Sequence, residues 1–327
     1  LSDYVGRRKG LTALGYALGA ATKPLFAMAS SIGVVLAARL IDRVGKGVRG
    51  APRDALIADI TPAHLRGAAF GLRQSLDTVG ACVGPLVAVG LMLLWADDFR
   101  RVFWVAVVPG SLAVVLLLAG VREPEHITNQ RRANPLARAN LARLGRGYWL
   151  VVSIGAALAL ARFSEAFLVL RAGQSVPIAL VPLVMVAMNI VYAASAYPFG
   201  RLSDRLSRRA LLAAGVLVLG AADVVLASSS AWPVVLLGVS LWGVHLGLTQ
   251  GLLAAMVAHA APADLRGTAY GVFNLVSGVA LLAASVAAGL LWDRVGPAAT
   301  FVVGAGLCLA TLGLLRGAPP DDRRSAG

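Results

Sequence analysis

Ten apolar stretches recur along this chain, near residues 10–30, 32–59, 66–94, 102–121, 148–171, 177–199, 210–228, 232–259, 267–291 and 298–316. This recurrence constrains the fold more than any single motif does. A helix of roughly 20 apolar residues crosses the hydrocarbon of a bilayer. Many such runs therefore point to many spans rather than one anchor. Composition agrees: 58% of the residues are hydrophobic and 14% are charged, where a soluble protein would carry roughly a quarter charged residues. Several runs exceed the crossing length, which predicts tilt or extension past the bilayer. The expected fold class is an all-α membrane protein with ten transmembrane helices.

The net charge of +14 would suggest nucleic acid in a soluble chain. Here the cations fall mostly in short loops, and they alternate. One set of loops holds eighteen basic residues, while the opposite set holds only Arg100, Arg101, Arg171 and Arg294. The positive-inside rule puts the rich set, and with it the C-terminus, in the cytoplasm of a cell bounded by this plasma or inner membrane. No nucleic-acid partner is expected. Cys82 and Cys308 lie singly in apolar runs, which argues against a disulfide framework or a zinc site. No metal-ligand cluster, phosphate loop or nucleophile constellation is present, so the chain is not read as an enzyme and no metal or cofactor is expected.

The sequence also repeats itself. "LSDYVGRR" at 1–8 returns as "LSDRLSRR" at 202–209, and "TPAHLRGAAFG" at 61–71 returns as "APADLRGTAYG" at 261–271. The two offsets are 201 and 200 residues. A repeat of this size in a membrane protein suggests a transporter built of two related halves. The second "LSD" follows two helices, whereas the first stands at the very start. The first half is thus expected to lack two helices, about 55 residues, of a twelve-span, six-plus-six architecture. The expected divisions are a half-bundle at 1–121, a central cytoplasmic loop at 122–147, a six-helix half at 148–316 and a cytoplasmic tail at 317–327.

At these residues the chain resembles the major facilitator superfamily. Asp3, Gly6, Arg7 and Arg8 of "LSDYVGRRKG" match that family's loop signature, and Asp204, Arg208 and Arg209 echo it, with Ser207 in place of the glycine. The resemblance implies that such residues pair with charges at neighbouring helix ends and latch one conformation. Asp59 is the expected partner of a loop arginine, and Arg66 and Arg266 join the same gating set. Gly71, Gly80, Gly84 and Pro85 follow the spacing of the family's antiporter signature, although Val89-Gly90 stands where a final Gly-Gly is expected. Gly80 and Gly84 share a helix face, so they would let two helices approach closely, either as ordinary packing or in an antiporter-specific role. Pro85 would bend the helix.

The stretch "ARLIDRVGKGVRGAPRD", residues 38–54, places seven ionisable groups where a span is expected. On a helix of about 100° per residue, Arg39, Asp42, Arg43, Lys46, Arg49, Arg53 and Asp54 fall within an arc of about 140°. Leu40, Ile41, Val44, Val48, Ala51 and Ala55 are expected opposite. A charge left in hydrocarbon costs at least about 3 kcal/mol, so the stripe must face an aqueous cavity. It reads either as a surface for an anionic substrate, with arginines as bidentate donors, or as a bracing salt-bridge network. The family resemblance links Arg39 to proton coupling.

Other polar groups lie within spans. Arg73 and Asp77 form an i,i+4 pair that could neutralise itself. Arg162 and Glu165 fall in the 148–171 stretch, where Glu165, like Asp42, is a candidate proton carrier. Asp223, His245, Gln250 and Lys23 complete the set. The resemblance implies a monomeric secondary transporter in a lipid bilayer, with protons and a small organic molecule, anionic in one reading of the basic stripe, as partners. Export by proton antiport is expected. Uptake of an anionic metabolite or siderophore-like compound is the alternative.

Overall fold

The computed structural model describes residues 2–5, 7–95, 98–123, 137–175 and 181–317. Among these residues there are helices and no strands. The elements are α1 (Ser2–Val5), α2 (Arg8–Ala27), α3 (Ile32–Ile60), α4 (Arg66–Leu94), α5 (Phe99–Gly120), α6 (Arg138–Ala142), α7 (Arg146–Ala161) and α8 (Ala166–Ala172). They continue as α9 (Pro182–Ser203), α10 (Arg208–Ser228), α11 (Trp232–Ala260), α12 (Arg266–Arg294) and α13 (Pro297–Gly317). Short 3₁₀ turns at Ala63–Leu65 and Ala263–Leu265 lead into α4 and α12. Eight helical segments are long and apolar enough to cross a membrane. The remaining two long helices are α2 and α3, whose runs are diluted by small residues and by charge, respectively.

One expected helix is broken. The 148–171 stretch forms α7 and α8, and Arg162 leaves the helix at φ −98°, ψ 30°. No Gly or Pro marks the break. Phe163 is buried there, with its ring edge-on to Phe167, Trp242 and Phe301 at 5.4–5.6 Å. The Ser164 hydroxyl accepts from the Ala166 amide at 3.3 Å and so helps restart the helix. Burial of an aromatic ring thus offsets the lost helical bonds.

The chain forms two compact units. The first comprises Leu1–Ile60, Val83–Leu144 and Ala261–Gly271. In it α2 packs on α3 through glycines. A Cβ on Gly15 would stand 2.5 Å from the Arg49 Cβ and 2.6 Å from the Gly45 carbonyl oxygen. A Cβ on Gly45 would come within 2.9 Å of the Gly15 carbonyl. Phe26 stacks on Phe103 at 5.1 Å and ties α2 to α5.

The second unit comprises Thr61–Cys82, Gly145–Ala260 and Val272–Gly327. Its core includes Trp242, Leu168, Met188, Leu212, Leu219 and Phe301. Here α4 meets α9 at glycine. A Cβ on Gly71 would lie 2.5 Å from the Ala196 carbonyl, and one on Gly200 would lie 2.5 Å from the Gly67 carbonyl. The close approach therefore belongs to Gly67 and Gly71, four residues apart. At Gly80 and Gly84 an added Cβ would meet nothing within 4 Å, so the expected helix contact is not made there. Pro85 does lie inside α4.

Inserting bulk into such a contact typically costs about 1–3 kcal/mol. Gly45→Leu should lower the thermal unfolding temperature in detergent clearly. Gly47→Leu, whose Cβ would meet nothing within 4 Å, should leave it nearly unchanged.

Candidate functional site

The repeated motifs bind one another. The first four amides of a helix lack intrahelical partners and carry the positive end of its dipole. Asp3 caps α12: Oδ1 accepts from the Gly267 amide at 3.1 Å, and Oδ2 accepts from the Thr268 amide at 2.5 Å and its hydroxyl at 2.7 Å. Asp204 caps α4: Oδ1 accepts from Gly67 and Oδ2 from Ala68, both at 2.8 Å. The serine before each Asp packs beneath the capped glycine. A Cβ at Gly267 would overlap the Ser2 hydroxyl, and one at Gly67 would overlap that of Ser203. "LSD" and "RG" are thus two sides of one joint, each repeat supplying one side to the other. Sequence analysis found both motifs but not this pairing.

A second layer surrounds Asp3. Arg8 is fully buried. Its guanidinium donates to Asp59, to Asp3 Oδ1 at 3.2 Å, and to the carbonyls of Ala55 and Ala263 at 3.3 and 2.7 Å. Arg266 donates to the other Asp59 oxygen at 2.6 Å. Glu123, which sequence analysis did not single out, accepts from the Arg8 and Lys9 amides at the start of α2. Arg7 is exposed, and Gly6 lies outside the described residues. The Asp204 joint is built differently. By the repeat, Asp59 corresponds to His259, whose ring nitrogens face the carbonyls of Ala255 and Ala63 at 2.7 and 3.2 Å. Ser207, in the glycine's place, caps α10 by accepting from Ala210. Arg66, Arg208 and Arg209 are half-buried at the starts of α4 and α10.

The charged stripe of α3 does not oppose the packed face; it borders it. Ala38, Asp42 and Gly45 are buried, and Arg49 packs with them on α2. Leu40 and Val44, expected opposite the stripe, are each 59% exposed. The small residues beside the stripe let α2 approach there. Asp42 pairs with Lys23 at 3.6 Å and Lys46 at 3.1 Å, and Arg49 lies over the Tyr16 ring at 4.2 Å. Arg53 bonds Asp54 at 3.1 Å. Arg39, Arg43 and Lys46 are exposed. On α4, Arg73 pairs with Asp77 at 2.9 Å.

In the second unit a cavity of about 200 Å³ opens between α7, α11 and α12. Arg162, His245, Gln250, Phe273, Asn274 and Ser277 line it. With its amide oriented oxygen-first, Gln250 accepts from both terminal nitrogens of Arg162. His245 is fully buried; its Nδ1 bonds the Gly215 carbonyl at 2.8 Å. Glu165 begins α8 beyond the break. Asn274 and Ser277 escaped sequence analysis, although two polar residues three apart in an apolar run were a usable signal. Asp223 is buried in α10, and a Cβ on Gly304 would lie 2.6 Å from its Oδ2.

A multi-span helical chain with duplicated, reciprocally capped joints and a polar cavity within a span is a transporter in kind. The sequence pattern of the Major Facilitator Superfamily matches residues 1–181 and again residues 166–327. An uncharacterized MFS-type transporter of Methanocaldococcus jannaschii is 32% identical over 322 residues, covering 96% of this chain and 79% of that protein. The human organic anion transporter MFSD10 (TETRAN) superposes with a TM-score of 0.75 at 21% identity, covering 96% of this chain and 78% of that one. The E. coli fucose:proton symporter FucP superposes at 0.76 with 14% identity, covering 96% and 84%. The chain belongs to the Major Facilitator Superfamily. It is a multi-pass membrane protein, and its function is secondary transport of a small molecule; members of this family are not enzymes.

Removing Asp59 leaves the buried Arg8 and the half-buried Arg266 without their shared carboxylate, an uncompensated charge of the kind that costs about 3–5 kcal/mol. Asp59→Ala should therefore lower thermal stability far more than Asp77→Ala, whose side chain is 47% exposed. Differential scanning fluorimetry in detergent compares the two.

Proposed function

We propose that the chain exports a small organic molecule in exchange for protons, by alternating access. The observation that carries this reading is the reciprocal capping of α12 by Asp3 and of α4 by Asp204. Two like joints, which the charge pattern of the loops assigns to one side of the membrane, would serve as a latch that opens and re-forms in each cycle. Loss of a helix cap costs typically about 1 kcal/mol, enough to shift a two-state population without unfolding the protein. The Arg8–Asp59–Arg266 cluster reinforces one joint. The charge alternation favours a cytoplasmic location for this side and for the C-terminus, in a plasma or inner membrane. We read the active form as a monomer, with 1–121 and 148–316 as its moving halves and 122–147 as the linking loop.

Coupling is assigned to Asp42 and Glu165. Asp42 stands between Lys23 and Lys46, so a proton taken up there would release two ammonium groups. Arg39, Arg43, Lys46, Arg49 and Arg53 line the proton and substrate path on α3. The Gly71, Gly80, Gly84–Pro85 spacing supports export. Arg162 in its cavity favours a second reading, uptake of an anionic metabolite by the same fold, and MFSD10 is described as an organic anion transporter.

The test is flux. The protein is reconstituted in vesicles with a trapped pH dye and offered organic cations and anions against an imposed proton gradient. Substrate-driven proton exchange is expected, and it should fall at least tenfold in the folded Asp42→Asn/Glu165→Gln double variant. Full coupled exchange in that variant would remove the coupling assignment. Co-movement of proton and substrate would replace export by uptake.

A further inference from the structure

We propose that the cavity between α7, α11 and α12 is a subsite for the carboxylate end of an amphiphilic organic acid; this rests on the transport reading above and narrows its substrate class. The argument begins with Arg162. It stands within a span, yet no carboxylate among the described residues makes an ion pair with it; its partner is the neutral oxygen of Gln250. Glu165, three residues on, acts on it electrostatically but makes no ion pair or hydrogen bond with its guanidinium, so the fork of donors stays open to a ligand. A cation at this depth is costly, and an oxyanion supplied by a ligand would offset that cost. Lys23 of α2 and Lys46 of α3 differ, since both already pair with the carboxylate of Asp42.

The cavity holds further unused capacity. His245 Nε2 and the Ser277 hydroxyl are buried without hydrogen-bond partners, and both residues line it. Buried polar atoms left unpaired are rare, and two that line one cavity leave bonding capacity there for a guest. The bond from Nδ1 to the Gly215 carbonyl fixes the His245 ring. With the proton on Nδ1, Nε2 offers only a lone pair, so it would take a donor on the ligand's body and not the carboxylate, which falls to Arg162 and the Ser277 hydroxyl. Asn274 adds an amide on the same wall.

The chemistry selects the ligand. The cavity presents a single guanidinium, which matches a planar monocarboxylate in two parallel hydrogen bonds. A doubly charged phosphate or sulfate would be left half-compensated. Leu158, Leu253, Phe273 and Leu281 supply apolar wall, so the ligand carries an apolar body. At about 200 Å³ the space is smaller than a site that encloses a whole drug-sized molecule. It therefore takes one end of the ligand.

The test uses the full chain in lipid nanodiscs, with benzoate as probe and benzamide and sulfate as its neutral and inorganic counterparts, titrated by saturation-transfer NMR. Benzoate should bind at least tenfold more tightly than benzamide, and sulfate should not displace it at equal concentration. Arg162→Gln should erase the preference for benzoate, and Arg162→Lys should keep part of it. Should Arg162→Gln fail to fold, Ser277→Ala provides the reading and should weaken benzoate about threefold. Equal binding of benzoate and benzamide, displacement by equal sulfate, or unchanged affinity in the folded variants would overturn the proposal. The vesicle flux assay separates the two ideas. Exchange with no benzoate preference sinks the subsite and spares transport. Benzoate binding that needs Arg162, in a protein showing no exchange, sustains the subsite and sinks proton-coupled export.

Discussion

The joint between a carboxylate and a helix start is the interaction on which the rest of this molecule depends. Two adjacent backbone amides present a fork of donors, and one Asp fills it. The fit demands three things at once: glycine at the capped position, a small residue beneath it, and an acid beside that residue. Gly67 with Ser203 and Asp204 meets those terms, and so does Gly267 with Ser2 and Asp3. The requirement explains why two short motifs, far apart in sequence, return together in the repeat.

Around the two joints the chain has made different choices. Beside Asp3 it buries Arg8 and balances it with Asp59, which also takes Arg266. Such clusters depend on how many of their polar groups are satisfied: both terminal nitrogens of Arg8 reach an acid and a carbonyl, while its Nε has no partner. Beside Asp204 the acid is replaced by His259, and the serine at 207 caps a helix instead of turning a loop. The two joints thus share one capping geometry and differ in the residue beside it, an aspartate in one and a histidine in the other.

Much of this was legible in the sequence, and the limits were physical. Long apolar runs report spans, because hydrocarbon leaves a helix few alternatives. The repeat marked the motifs that meet at the two joints, and the resemblance pointed to Asp59 as the partner of a loop arginine, where Arg8 stands. The break before α8 was hidden because an aromatic anchor made it, not Gly or Pro. On α3 the charged stripe was legible, but the packing of α2 along its border was not. Ala38 and Gly45 show that a small residue beside a charge invites a neighbouring helix as well as any Leu does. Gly80 and Gly84 carried the right spacing for close approach, but spacing does not supply the partner. The cavity was the least legible feature, since Arg162, Gln250 and Ser277 come from three helices whose arrangement no local pattern encodes.

The reciprocity of the two caps has a consequence for the ancestry of the fold. When motif one of each half grips motif two of the other, the contact is isologous, the kind that two identical chains make across a two-fold axis. A half-length chain bearing both motifs would already own both faces of the joint. Two copies could therefore close on each other as a symmetric dimer before any fusion joined them. Within one chain the two copies can differ, as Asp59 and His259 do, an asymmetry closed to a homodimer.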